Sequence, residues 1–175
     1  MATWNSRGLR GSLLEEMVNR TVHRYRDQKL ALIQKIPTPI TPVRMDPETR
    51  HITLAYFEQR STVDYIGVVQ GIPVCFDAKE CQTEKFPIQN IHEHQVVFMR
   101  DFEQQDGIAF LLLYFKNANR FFYLPYAQMV TFWNRSKTGH HKYFRMDELD
   151  PAYEIRCSGY MLHFLEPLQR DIMSR

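Results

Sequence analysis

The sequence predicts an α/β fold. Three observations carry that expectation: a capped amphipathic helical pattern near the N-terminus, a wholly apolar run from Ile108 to Phe115, and two stretches in which turn residues separate alternating apolar and polar positions. The 175 residues, 44% hydrophobic and 13% aromatic, suffice to bury one sizeable core, so one compact domain over 1–175 is expected. A charged fraction of 24% excludes the regime of disordered chains.

A basic arm over 1–12 leads into a helix expected over roughly 13–28. Ser12 stands three residues before Glu15, the spacing of a capping box, and Leu14, Met17, Val18, Val22 and Tyr25 recur on one helical face. Leu30 to Ile36 reads as a short buried strand, halted by Pro37-Thr38-Pro39, where proline imposes an extended, donor-poor backbone. A hairpin arm follows, with Asp46-Pro47-Glu48-Thr49 as its turn and Val43, Met45, Ile52, Leu54 and Tyr56 alternating beside it. A second hairpin covers 62–80 around Gln70-Gly71. Asn90 or a neighbour opens a helix that carries Ile91, Gln95, Phe98 and Phe102 on one face and ends near Asp106-Gly107. Ile108 to Phe115 is a strand buried on both faces, and Arg120 to Leu124 is its antiparallel neighbour. A short aromatic helix around Tyr126 to Trp133, a basic loop from Arg135 to Arg145, a strand near Tyr153 to Cys157 and a polar C-terminal helix complete the chain.

No run approaches the roughly eighteen apolar residues of a membrane span, and the N-terminus lacks the apolar stretch of a secretory signal. A soluble, cytoplasmic protein with no membrane partner is therefore expected. Cys75, Cys81 and Cys157 lack the paired spacing of a zinc site or disulfide framework, which fits reduced thiols. The formal net charge is +2, yet residues 1–44 hold eight Lys and Arg against three Asp and Glu. Such a basic segment is a common phosphate footprint, and equally a common solvated surface.

Chemistry concentrates in the second hairpin. With Gln70 and Gly71 as the two turn residues, Val69 pairs with Ile72, and the same register sets Asp64 opposite Asp77 and Thr62 opposite Lys79, all on one face. Two opposed carboxylates repel unless one is protonated or a cation lies between them. Mg²⁺ accepts oxygen ligands, keeps several waters, and so leaves positions for a phosphate and an attacking water, while Lys79 offsets the extra charge of the transition state. The row is equally compatible with an edge salt bridge that blunts an exposed strand. Gln95, on the apolar face of its helix, either points to the carboxylates or bonds a backbone group. His92 and His94 do not suggest zinc, because residues two apart on a helix diverge. Glu15 is better explained as the capping partner of Ser12 than as an accessory site carboxylate.

Ser61-Thr62-Val63-Asp64-Tyr65-Ile66-Gly67, Phe76-Asp77-Ala78-Lys79-Glu80 and the run from Phe86 to Gln95 together resemble the RecU family of Holliday junction resolvases. The likeness extends to Gly11, Leu14-Glu15, Lys35 to Pro39, Gln105 to Phe110 and Phe132-Trp133, and so covers most of the chain. It implies a PD-(D/E)xK nuclease with a restriction-endonuclease-like mixed β-sheet flanked by helices, and a stalk hairpin over 37–61. It also implies a homodimer that clamps four-way junction DNA and nicks two strands symmetrically with Mg²⁺, Mn²⁺ being a substitute, during recombination and repair. Carried over by position, Thr62, Asp64, Asp77 and Gln95 are the metal-site residues and Lys79 the transition-state stabiliser. Phosphate contacts would come from Arg7, Arg10, Arg20, Arg24 and the 135–145 loop, and a recombinase or branch-migration helicase would be a partner at the nucleoid. Two departures stand out: Asp77 replaces the Glu common in relatives, shortening the reach by one methylene, and the N-terminal arm is short, which would suit a phage or prophage gene. Rival readings are a PD-(D/E)xK nuclease of duplex DNA and a catalytically silent junction-binding regulator.

Overall fold

A computed structural model describes residues 12–57, 62–139 and 141–175; all of the expected basic arm except Ser12, and residues 58–61 of the expected stalk, lie outside the described residues. The chain order begins with α1 (Leu13–Asp27), β1 (Ala31–Lys35), β2 (Ile40–Met45), β3 (Ile52–Phe57), β4 (Tyr65–Val69) and β5 (Ile72–Cys81). It continues with β6 (Lys85–Pro87), a 3-10 turn (Ile88–Asn90), α2 (Glu93–Glu103), β7 (Ile108–Phe115), β8 (Arg120–Pro125) and α3 (Tyr126–Lys137). After β9 (Tyr143–Arg145) come two further 3-10 turns (Met146–Glu148 and Pro151–Tyr153), the short strands β10 (Cys157–Ser158) and β11 (Met161–Leu162), and α4 (Leu165–Ser174).

The central sheet runs β1-β4-β5-β7-β8, with β5 and β7 parallel and every other neighbouring pair antiparallel. Only the parallel pair needs a crossover, and the segment containing α2 supplies it. Each residue of β7 is buried, which is why the strand reads as an unbroken apolar run. Its Phe110, Leu112 and Tyr114 pack in the layer of α1 and α4, while Ala109, Leu111, Leu113 and Phe115 pack in the layer of α2 and α3. Helices thus cover both faces of a mixed sheet, as the restriction-endonuclease-like expectation required. On the α1 side, Tyr65, Phe76, Phe110 and Tyr123 stack across β4, β5, β7 and β8 with centroid separations of 4.8, 4.7 and 4.3 Å. Rings paired in this way add about 0.5–1.5 kcal/mol each beyond their burial.

The hairpin β2–β3 forms a separate two-stranded sheet, and none of residues 40–56 is buried. Three expectations are corrected. The helix expected from Asn90 starts at Glu93, because Ile88–Asn90 closes a 3-10 turn and Ile91 leaves it in extended conformation. The strand expected near Tyr153 to Cys157 is a 3-10 turn with Pro151 at its start, followed by a single bridge between Glu154 and Phe122. The aromatic helix runs on to Lys137, so Arg135 lies in its last turn and not in a loop. No described helix is long and apolar enough to cross a membrane.

The turn between β4 and β5 fixes the register on which the candidate site depends. Gln70 and Gly71 have φ of 48° and 89°, the paired positive angles of a type I′ hairpin, and Val69 pairs with Ile72. A Cβ at Gly71 would meet nothing within 4 Å, so a substitution there tests backbone strain alone. Gly71→Ala should cost about 1 kcal/mol and lower the thermal midpoint by about 2–4 °C, measured by circular dichroism; an unchanged midpoint would contradict the role given to the turn.

Candidate active site

The paired ladder of β4 and β5 ends at Tyr65 and Phe76, one residue before the two aspartates. Side chains take over there. The Asp64 N–H donates to Asp77 Oδ1 at 2.6 Å, and the Ala78 N–H donates to Asp64 Oδ2 at 3.2 Å. The Asp64 carbonyl accepts the Ile36 N–H at 2.8 Å, so the residue is held between the ends of β1 and β5. Lys79, two residues along β5, emerges on the same face as Asp77. Its Nζ lies 2.9 Å from Asp77 Oδ2 as an ion pair, and that buried oxygen has no partner besides Lys79 among the described residues.

Asp77 is 0% exposed. Burial pushes its carboxyl above the usual carboxylate range, and the Lys79 charge and the Asp64 N–H pull the other way. Asp64 is pushed up to about 6 by burial first and by the Asp77 charge second, against the opposing influence of Lys79 and the Ala78 N–H. Both aspartates are also raised by Glu15. Two carboxylates with increased proton affinity beside one ammonium form a cradle short of positive charge.

The remaining expected residues divide. Gln95 is buried in the first turn of α2, and its Oε1 accepts the His92 N–H at 3.1 Å, which is the backbone-bonded alternative. Thr62 does not pair with Lys79: regular β4 starts only at Tyr65, and Val63 packs in the α2–α3 layer, opposite to Tyr65, so the alternation is broken between them. Thr62 instead lines a cleft of about 750 Å³ together with His92, His94 and Phe98. Glu15 is also corrected. Ser12 Oγ does accept the Glu15 N–H, but the Glu15 carboxylate turns to Lys35 Nζ at 2.8 Å, where its charge reaches the aspartates. His92 and His94 do not diverge, because His92 precedes the helix; their rings stack at 5.5 Å. Among the described residues, no three His, Cys, Asp or Glu side chains are gathered to hold a metal.

The sequence reading missed Glu80. Facing the α1 layer, its Oε1 accepts the Leu14 N–H at 2.7 Å and its Oε2 pairs with Lys116 at 2.5 Å, which seats the first turn of α1, and with it Glu15, next to β5. Its adjacency to Lys79 was the only local hint. Of the expected phosphate contacts, Arg7 and Arg10 lie outside the described residues. Arg20 is engaged with Glu16 at 2.5 Å and lies over the Tyr160 ring, whereas Arg24 has no carboxylate partner among the described residues. In the 135–145 segment, Arg135 pairs with Glu148, and Arg145 with Asp147.

A family model described as Recombination protein U matches residues 9–170. The chain belongs to the RecU family. A Holliday junction resolvase RecU of Bacillus cytotoxicus is 37% identical over 157 residues, covering 87% of this chain and 78% of the relative. Those of Listeria welshimeri and Staphylococcus aureus are each 38% identical, covering 93% and 90% of this chain and 84% and 74% of the relatives. Membership of the RecU family, expected from the motifs around Asp64, Asp77 and Gln95, places the chain among the Holliday junction resolvases, which are endonucleases.

The raised carboxylates set a pH dependence. The folded protein holds the Asp64 proton more tightly than the unfolded chain does, so the associated stability is present below about pH 4 and is lost as the pH rises through about 6. Asp64→Asn keeps an acceptor for the Ala78 N–H and removes the charge. In chelator-treated protein at pH 7.5 this variant should be more stable than wild type by about 2 kcal/mol, a difference that closes as the pH falls to about 4. Equal midpoints across that range would show that Asp64 carries no such penalty.

Proposed function

We propose that the chain is a Mg²⁺-dependent, structure-selective endonuclease that works as a homodimer and resolves Holliday junctions by paired symmetric nicks in recombination and repair. The observation that carries this reading is Asp77: a fully buried carboxylate whose Oδ2 has no partner besides the Lys79 ammonium among the described residues, beside a second carboxylate that resists ionisation. Structural ion pairs do not need a second buried acid pressed against the first, whereas a divalent cation removes that conflict. Two carboxylates supplemented by neutral oxygens suit Mg²⁺, which seldom uses an all-protein cage. Asp64 and Asp77 would hold it, with Thr62 and Gln95 as further neutral ligands and Glu15 as an accessory carboxylate. When bound, the metal supplies a more acidic water and offsets negative charge on the phosphodiester.

The residues of the chain do the rest. Asp77 anchors Lys79, and the Lys79 ammonium stabilises the charge that grows on the phosphate oxygens during attack. The Asp64 carboxylate, held by Ala78, keeps its remaining lone pairs towards the site. A four-way junction with two-fold symmetry needs two such sites at fixed separation, which is the role of a homodimer. The β2–β3 hairpin, in which none of residues 40–56 is buried, supports the stalk assignment over 37–61. Phosphate contacts, Arg24 among them, give affinity with little dependence on sequence. A recombinase or branch-migration helicase acting on the same junction at the nucleoid is the partner class this role calls for.

The deciding experiment incubates the protein with end-labelled four-way junctions and matched linear duplex, with Mg²⁺ or chelator. Paired nicks confined to the junction, dependent on Mg²⁺ and reduced about a hundredfold or more in Asp77→Ala and Lys79→Ala, are expected. Junction binding without incision would point to a silent regulator, and equal cutting of duplex to a general nuclease. Independently of turnover, millimolar Mg²⁺ should raise the thermal midpoint of the wild type at pH 7.5 and leave that of Asp77→Ala unmoved.

A further inference from the structure

The cations of this surface separate into those the fold has already neutralised and those it has not. Arg20, Arg120, Arg135 and Arg145 each face a carboxylate. Lys137 and Lys142 are exposed and have no carboxylate partner among the described residues. Both line a cleft of about 440 Å³ between the end of α3 and the 88–91 turn, where Trp133, Ser136 and Gln89 supply the neutral wall and no carboxylate takes part. Other clefts do contain carboxylates: the one on α1 that holds Arg24 also contains Glu16 and Asp27, and the one lined by Thr62 contains Glu93 and Asp101 with no Lys or Arg among the described residues.

The two lysines are held in place by the fold. The Lys142 carbonyl accepts the Ile88 N–H at 2.9 Å, which ties its backbone to the turn. Lys137 Nζ lies 4.7 Å from the Trp133 ring centroid, a contact that restrains the side chain without cancelling its charge. Arg135 joins α3 to Glu148 and donates to the Tyr143 carbonyl at 3.2 Å, so the end of α3, β9 and the turn are braced together. The same turn leads through Ile91 into His92 and His94, which line the cleft that Thr62 also lines. The cationic cleft and the cleft lined by Thr62, two residues before Asp64, therefore lie on consecutive stretches of one short segment.

We propose that the Lys137–Lys142 cleft is a binding surface for the phosphate backbone of a DNA arm as it leaves the active site. This rests on the resolvase reading above, which supplies the polyanion. A duplex places one negative charge per roughly 1.7 Å of its axis, so two ammonium groups without carboxylate partners in a cleft without carboxylates engage phosphates whatever the sequence. Of the more obvious basic residues of the segment, Arg135 acts as a brace and the charge of Arg145 is matched by Asp147.

The test measures binding to a four-way junction and to matched duplex in chelator, across a series of salt concentrations, for wild type, Lys137→Ala/Lys142→Ala and Arg120→Ala. The double variant should lose about tenfold or more in junction affinity, and its slope of log affinity against log salt should fall by about 2. Arg120→Ala, which removes a cation already paired with Glu154, should keep the wild-type slope. A wild-type slope in the double variant, with wild-type junction binding intact, would overturn the assignment. A wild type that shows no preference for junction over duplex would sink the resolvase reading instead, and a loss of slope on duplex in the double variant would still support the lysine surface. Unchanged thermal midpoints show that the substituted proteins are folded.

Discussion

Placing a carboxylate inside the sheet is the constraint around which this fold is arranged. Asp77 sits on β5, between antiparallel β4 and parallel β7, in the most buried part of the molecule. An ionised carboxylate there without partners would cost several kcal/mol. The structure offsets part of that cost with one backbone N–H and one ammonium, both supplied locally: Asp64 across the hairpin and Lys79 two residues along the strand. Neither saturates Oδ2. The deficit is focused on a single oxygen whose one partner among the described residues is the Lys79 ammonium, and the neighbouring Asp64 carboxylate adds to the strain instead of relieving it. Stability is given up where binding of a cation can recover it.

Everything else in the site follows from keeping that arrangement in register. The Gln70-Gly71 turn determines which residues of β4 and β5 face each other, and the aromatic stack on the opposite side of the sheet locks the four strands whose edges carry the site. Glu80, adjacent to Lys79 but facing the other layer, anchors the start of α1. Consecutive residues of β5 thus serve opposite faces: Asp77 and Lys79 the candidate site, Ala78 and Glu80 the α1 layer. This is why Glu15, on a helix across the sheet, can influence both aspartates although Lys35 holds its carboxylate.

What the sequence disclosed depended on range. The hairpin face was legible because strand alternation and a two-residue turn are local rules, and the apolar run of β7 could hardly be anything but a doubly covered strand. Glu15 was misjudged because a capping spacing and an ion pair with Lys35 both satisfy the same residue, and only the docking of α1 beside β1 selects the second. The start of α2 was placed early because Ile91 continues the apolar period although it lies in the exit from a 3-10 turn. The three-residue strands β6 and β9 carry no pattern of their own, and their pairing is a tertiary event between segments far apart in the chain. Thr62 was set opposite Lys79 by extending a ladder beyond the point where Val63 changes faces.

Charge shows the same limit more sharply. By sequence the basic N-terminal quarter dominates the search for a nucleic-acid surface, yet counting residues treats every cation as free. In the folded chain Arg20 is matched by a carboxylate one helical turn away, and Arg135 is matched by Glu148, which enters through a separate turn. The field available to a phosphate is the one left after such pairing, because a cation facing a carboxylate must break that contact before it can meet another anion. Lysines that no carboxylate reaches, on a braced segment leading into the candidate active site, therefore outweigh a larger number of arginines whose charge is already matched.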